Sequence, residues 1–327
     1  MIILTGGAGM IGSIIAWHLN TILHEERFVI VDELIHPDQE KNFKKRKFSE
    51  FVHKDELHTY LKNNNKVSAI IHMGAISATT ETNFNRLLNS NIRYSQMLWN
   101  WCALNNVPFI YASSAATYGL GENGYNDSES QINNLTPLNG YGYSKQFFDQ
   151  WVQQQINTGA TKPPQWCGLK FFNVYGPNEY HKGRMASVVY HAFNQYQKEN
   201  EVRLFKSDRP DFSDGMQLRD FVYVKDAVEC VIYLLKNHQI SGIFNIGTGK
   251  ADSFKNLGLS VVNNLGGDSS AIKYIDLPSD LKNKYQYFTE ANIDKIRGHG
   301  FKHQFMTLSE GVSDYVQNYL LQKDMYA

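Results

Sequence analysis

The stretch MIILTGGAGMIG (1–12) limits what this chain can fold into more than any other feature. Gly6, Gly9 and Gly12 follow a short apolar run and open a helical pattern, with the spacing GxxGxxG. Each glycine has a physical reason: one allows a tight turn, one a close approach of backbone to a pyrophosphate, and one the close packing of helix on strand. The helix start then presents free N–H groups and the positive end of its dipole to phosphate. A loop of this kind needs a parallel sheet behind it. FVIVD (28–32), VSAIIH (67–72), VPFIYA (107–112) and WCGLKFF (166–172) read as further buried strands, separated by helical patterns such as 86–104. Short β-rich runs alternating with helices predict an α/β fold, a doubly wound parallel sheet of about seven strands with helices on both faces.

The second half is less regular. Residues 120–140, 173–184 and 207–217 read as polar loops, GIFNIGTG (242–249) as strand and turn, and 307–321 as a terminal amphipathic helix. The expectation is a smaller α/β lobe made of discontinuous pieces laid over the sheet: 1–172 with 219–247 for the cofactor domain, 173–218 with 248–327 for the substrate domain. Formal net charge is zero over 327 residues, so no broad attraction to nucleic acid or anionic membrane is expected. The lysine-rich run 41–48 reads as a solvated face. Cys102, Cys167 and Cys230 are far apart, with no metal-ligand spacing, and read as buried thiols in a reducing compartment. No basic segment with a long apolar run stands before the first strand, and no apolar stretch approaches a membrane span. A cytoplasmic location is expected.

Asp32 ends the second strand, where an acid accepts hydrogen bonds from an adenosine ribose and favours NAD. Lys41 or Lys54 would reach a 2′-phosphate and admit NADP, so local chemistry leaves both cofactors open. YASSAATYG (111–119) ends a strand with Ser114, and YGYSK (141–145) opens a helical pattern. Tyr141 and Lys145 are four apart and share one helix face. The lysine ammonium is expected to lower the tyrosine pKa and make the phenol a usable base. Ser114 would hydrogen-bond the same substrate oxygen. Tyr143 stands two residues from Lys145 and faces elsewhere. In NEYHKGRMAS (178–187), Lys182 admits three readings: phosphate anchor, loop charge or acid/base.

TGGAGMIG, Asp32, HMGAIS (72–77), Asn91, YASSAATYG, YGYSK, FFNVYGP (171–177), RDFVYVKDA (219–227) and FNIGTG (244–249) together resemble the extended short-chain dehydrogenase/reductase superfamily. FFNVYGPNEYHKGRMASV (171–188), HMGAISATTE (72–81) and KYQYFTEA (284–291) are similar, within it, to the ADP-L-glycero-D-manno-heptose 6-epimerase family. That resemblance implies a Rossmann-type domain with a C-terminal substrate domain, a tightly held NADP, and inversion at C6″ of an ADP-linked heptose used in the lipopolysaccharide inner core. It implies Tyr141 and Lys182 as two acid/base groups serving opposite faces of one ketone, with Ser114 and Lys145 in support. It places Met10, Ile11, Asp32, Glu33, Lys54, Met73, Gly74, Ala75, Ile76, Ser77, Asn91 and Lys145 at the cofactor. At the nucleotide sugar it places Asn173, Val174, Arg184, His191, Phe205, Lys206, Ser207, Asp208, Arg219 and Tyr285. Met73 stands where the family has a glutamate, Arg184 where it has a small residue, and the loop before Arg219 is longer. A homo-oligomer, a pentamer in this family, is expected. Alternatives are a UDP-hexose 4-epimerase or a dehydratase, which would use Tyr141 and leave Lys182 a bystander, and a non-catalytic NADP-binding sensor. Ala115 and Ala116 after Ser114 argue against a dehydratase.

Overall fold

The computed structural model describes residues 1–64, 66–278 and 285–327. Its centre is a seven-stranded sheet. β1 (Ile2–Thr5), β2 (Phe28–Asp32), β3 (Glu50–His53), β4 (Ala69–His72), β5 (Phe109–Ser114) and β6 (Trp166–Phe171) are joined by a last strand, Gly242–Ile246. The order across the sheet is Gly242–Ile246, β6, β5, β4, β1, β2, β3, and every pairing is parallel. The order reverses direction beside β1, so a crevice opens at the carboxyl ends of β1 and β4, where α/β sheets bind ligands.

Strand periodicity builds two cores. Leu4, Ile30, Ile71 and Leu169 face α1 (Met10–Thr21) and the helix Val224–Lys236. Their neighbours Ile3, Val29, Val31 and Ile70 face the other way, onto Leu98, Trp99, Phe148 and Val152. Both faces are covered, which is why these strands read as continuous apolar runs rather than alternating ones. The third strand, EFVH, has no counterpart among the strands expected from the sequence. It is a short edge strand with one buried residue, Val52, and carries no apolar run.

The rest of the second half packs as small paired elements. Val202–Phe205 pairs in parallel with Ile272–Ile275, and Leu218–Arg219 antiparallel with Asp252–Ser253. The helices Val188–Glu199 and Phe254–Asn264 pack on one another. Residues 173–184, expected as loop, contain a strand Asn173–Tyr175 that pairs with Phe221–Tyr223, and a 3₁₀ turn at Tyr180–Met185. No helix among the described residues is long and apolar enough to cross a membrane, and no group of His, Cys, Asp or Glu among them could hold a metal ion. The three cysteines are buried and free.

Candidate active site

The glycine loop is shaped by contacts that exclude side chains. Gly6 has φ +67° and its Cβ position falls on the backbone of Met73 and Gly74; a Cβ on Gly12 would collide with the Gly6 carbonyl. β1, the loop and the Gly74 turn therefore lie in backbone contact. α1 begins after Gly9 with no side-chain cap and no acid in its first turn, leaving its first N–H groups available to an anion. Asp32 is pinned beside it: Oδ2 accepts from Ala8 N at 2.7 Å and Oδ1 from Glu33 N at 2.8 Å. Burial raises the Asp32 pKa. This cradle fits a dinucleotide diphosphate with its ribose at Asp32. Lys54 follows β3 at the same end of the sheet, 3.3 Å from Glu33 and 2.9 Å from Asp55. Lys41 is exposed and committed to Asp38 at 2.7 Å.

Ser114, Tyr141 and Lys145 come together as expected. Asn139 caps the helix Gly140–Asn157 through Gly142 N at 2.9 Å. A Cβ on Gly142 would press on Pro137 and the Ala116 carbonyl, so this glycine lets the helix close on the turn after Ser114. The half-buried Tyr141 hydroxyl is hydrogen-bonded to Ser114. Lys145 is buried and its Nζ donates to the Ala112 carbonyl at 2.7 Å. The expected lowering of the Tyr141 pKa does not hold in this structure. Burial raises it, the Ser114 bond only partly opposes this, and the ammonium is committed to Ala112. Burial brings Lys145 itself down to about 8. Asn91 joins this helix to the loop after β4: its Nδ2 reaches Ser144 Oγ at 2.9 Å and Ile76 O at 3.0 Å, and its Oδ1 accepts from Ile76 N at 2.8 Å. It sits in a π-helical turn, Leu88–Arg93, a feature often found at functional sites.

Lys182 reaches the glycine loop from the 3₁₀ turn Tyr180–Met185. Its Nζ lies 4.0 Å from the sulfur of Met10, the first residue of α1. Burial lowers its pKa and the Glu179 carboxylate raises it. Met185 Sδ lies 4.0 Å from Thr79 Oγ1, so the loop bridges α1 and the segment after β4. Gly183, with φ +53°, makes the kink that follows the lysine. Arg184 is exposed, and its carbonyl is 3.4 Å from His191 Nε2.

A second cluster lies around Arg219. It is buried, donates to its neighbour's carbonyl, Leu218 O, at 2.8 Å, and lies 5.4 Å from the ring centre of Tyr285 and 5.5 Å from Phe254. No carboxylate among the described residues pairs with it, and burial lowers its pKa. A buried guanidinium without a counter-ion is suited to a diphosphate. Phe205 packs edge-on to Tyr285 at 6.0 Å. Asp208 bonds the Tyr287 hydroxyl, Ser207 N donates to Asp214 at 2.8 Å, and Lys206 pairs with Asp276 at 2.9 Å. Asn173 is exposed and Val174 half-buried on the short strand beside them. The motif 284–291 begins with Lys284, which lies outside the described residues.

Residues 2–247 match the family model for the NAD dependent epimerase/dehydratase family. The ADP-L-glycero-D-manno-heptose-6-epimerase of Fusobacterium nucleatum subsp. nucleatum is 51% identical over 336 residues, covering all of both chains. The enzyme of that name from Nitratidesulfovibrio vulgaris is 45% identical over 329 residues, again covering all of both. The chain belongs to the ADP-L-glycero-D-manno-heptose-6-epimerase family. A crystal structure of the Helicobacter pylori ADP-L-glycero-D-manno-heptose-6-epimerase matches with TM-score 0.77 at 27% identity, over 97% of this chain and 95% of that one.

For a chain of this epimerase family, several residues that shape the site leave no mark in the sequence. The run 41–48 is not wholly a solvated face: Asn42 and Phe43 are buried. Asn42 Nδ2 donates to Ala8 O at 2.8 Å and meets His181 Nδ1 at 3.2 Å, tying the glycine loop to the Lys182 loop. A polar Asn42 set among lysines carries no sign of this role. Burial and Lys182 lower His181 to about 4. Glu179 is buried and bonds Ser187 Oγ at 2.7 Å, Ser187 N, and Gly176 N at 3.4 Å. His72 links Thr5 Oγ1 at 2.6 Å to Ser95 Oγ at 2.9 Å under the Gly74 turn.

Proposed function

We propose that this chain inverts C6″ of ADP-D-glycero-D-manno-heptose, with Tyr141 and Lys182 as the two proton carriers, for lipopolysaccharide inner-core assembly. What supports it is one arrangement: Tyr141 with Ser114 on the β5 side, and Lys182 against Met10 at the start of α1. A nicotinamide cofactor supplies hydride acceptance and return. One side chain takes the hydroxyl proton as the C6″ carbon is oxidised, and Ser114 holds the carbonyl oxygen. The ketone then presents its other face, and the second side chain protonates the oxygen when hydride returns. A single base would serve both epimers poorly, because their hydroxyls point in opposite directions. Burial lowers the pKa of Lys182 from the ordinary lysine value, the direction that favours proton exchange.

The residues suited to hold the cofactor are Gly6, Gly9, Met10, Ile11 and Gly12, with Asp32 at the ribose and the segment Met73–Ser77 kept in place by Asn91. NADP is the preferred form in this reading. Lys54, which directly follows His53, the β3 partner of Asp32, is the cation best placed for a 2′-phosphate, and Lys41, exposed in the run 41–48, is the weaker candidate. Arg219 would take the substrate diphosphate, with Phe205, Tyr285 and the 206–208 turn around the nucleotide, and Asn173, Val174, Arg184 and His191 toward the sugar. Residues 1–172 with 219–247 form the cofactor domain and the remaining pieces the substrate domain. A cytoplasmic homo-oligomer is the expected working form. The test is incubation of purified protein with ADP-D-glycero-D-manno-heptose and no added cofactor, then chromatography of the two epimers. Tyr141→Phe and Lys182→Met should each lower turnover by about 10²–10⁴ while cofactor stays bound. Near-normal turnover of Lys182→Met would overturn the two-base account.

A further inference from the structure

A buried ion pair lies under the Ser114–Tyr141–Lys145 group, and the mechanism above does not use it. Asp149 stands one helical turn after Lys145 and is fully buried; Lys170 of β6 is 1% exposed. Their charged groups meet at 3.1 Å. Asp149 accepts two more hydrogen bonds, from Ser113 Oγ at 2.6 Å and Tyr111 OH at 3.1 Å, both on β5. Between those residues is Ala112, whose carbonyl takes the Lys145 ammonium. Lys170 also donates to Thr117 Oγ1 at 2.6 Å, and the Thr117 hydroxyl donates to Ser114 O at 2.8 Å. The pair therefore fastens the helix that carries Tyr141 and Lys145, the strand under it, and the turn that presents Ser114.

Holding three elements together does not require charge. Removing two ions from water is costly, and a well-packed apolar pair would do as well or better. The charge itself needs a use. We propose that Asp149, held from behind by Lys170, is a positioning residue: it fixes the helix that carries Lys145 and Tyr141 against β5 and keeps a negative charge one turn beyond Lys145 and two beyond Tyr141. This rests on Tyr141 being a proton carrier. The direction of its influence agrees: Asp149 raises both Lys145 and Tyr141, opposing the burial that lowers Lys145 and adding to the burial that raises Tyr141. The other groups facing this site do not supply a competing charge of that sign next to Lys145. His72 on β4 is held to about 3 by burial and by Lys145. Tyr111 and Tyr118 are raised well above the phenol value, and Cys167 of β6 is pushed up to about 12. Asp127 and Glu129 act on Lys170 and Tyr111 rather than on Lys145.

The test uses full-length Asp149→Asn, and Asp149→Asn with Lys170→Gln, which removes the orphaned ammonium if the single variant does not fold. Tyrosinate absorbance is titrated for parent and variants, each minus its Tyr141→Phe counterpart, which isolates Tyr141 without relying on activity. The Tyr141 midpoint should fall in Asp149→Asn, and by less in the double variant. The turnover limb that Tyr141→Phe abolishes should move to lower pH by the same amount. A folded variant whose Tyr141 midpoint stays at the parent value overturns the proposal, even if turnover falls uniformly, since that is packing alone. Failure of the proton-carrier reading is separate and shows in the parent: Tyr141→Phe would then keep its turnover.

Discussion

Glu179→Gln probes the Lys182 loop through a buried carboxylate behind it. The Glu179 carboxylate is fully buried, and its oxygens take Ser187 N, Ser187 Oγ at 2.7 Å and Gly176 N at 3.4 Å. Its own carbonyl accepts from Lys182 N at 3.0 Å. It thus staples both ends of the segment 176–187. Glutamine keeps one acceptor oxygen but sets an NH₂ where the other acceptor stood, facing a backbone N–H. A hydrogen bond to a charged group contributes about 1.5–3 kcal/mol, and an unsatisfied buried donor costs about 1–3 kcal/mol. With partial relaxation of the loop, a loss of about 2–4 kcal/mol is expected, seen in calorimetry as a Tm roughly 4–10 °C lower. There is a second consequence. Glu179 raises the Lys182 pKa while burial lowers it, so removing the carboxylate lets the lysine lose its proton at lower pH. The turnover limb carried by Lys182 should move acidward. A Tm within about 2 °C of the parent together with an unmoved limb would refute both the staple and the electrostatic coupling.

Acid stability should depend on His72. Burial holds it near 3, against an unperturbed value near 6.5, so the folded chain keeps it neutral while the unfolded chain takes up a proton. Its contribution is complete above 6.5 and is lost as pH falls toward 3, at about 1.4 kcal/mol per pH unit. His72→Gln should be less stable at neutral pH but flatter between pH 6 and 4 in urea titrations; equal slopes would refute the argument. At the cofactor site, Lys54→Ala should weaken NADP by up to about fivefold and leave NAD little changed, measured by calorimetry on cofactor-stripped protein. Equal weakening of both would remove Lys54 from the 2′-phosphate.

What could be read from the sequence, and what could not, follows from how far each interaction reaches along the chain. β1, β2, β4, β5 and β6 announce themselves because both faces are buried, which forces continuous Val, Ile and Phe runs. EFVH at the sheet edge has no such requirement and left no pattern. Tyr141 and Lys145 are one helical turn apart, so their juxtaposition is local and legible. Their surroundings are not, because Lys145 is held by Ala112 and the helix by Asp149, which in turn pairs with Lys170. The sequence alone suggests a lysine that acts on a tyrosine; the fold sets that lysine on the Ala112 carbonyl, one turn before a buried Asp149–Lys170 pair that ties its helix to two strands. The same holds across the site. Asn42 and His181 are 139 positions apart and meet at 3.2 Å. Lys182 and Met10 are 172 apart and meet at 4.0 Å. No spacing rule contains those distances. They arise because the chain after β6 returns to the start of α1, beside β1 where the sheet order reverses, and that return is what sets the Lys182 ammonium against the glycine loop.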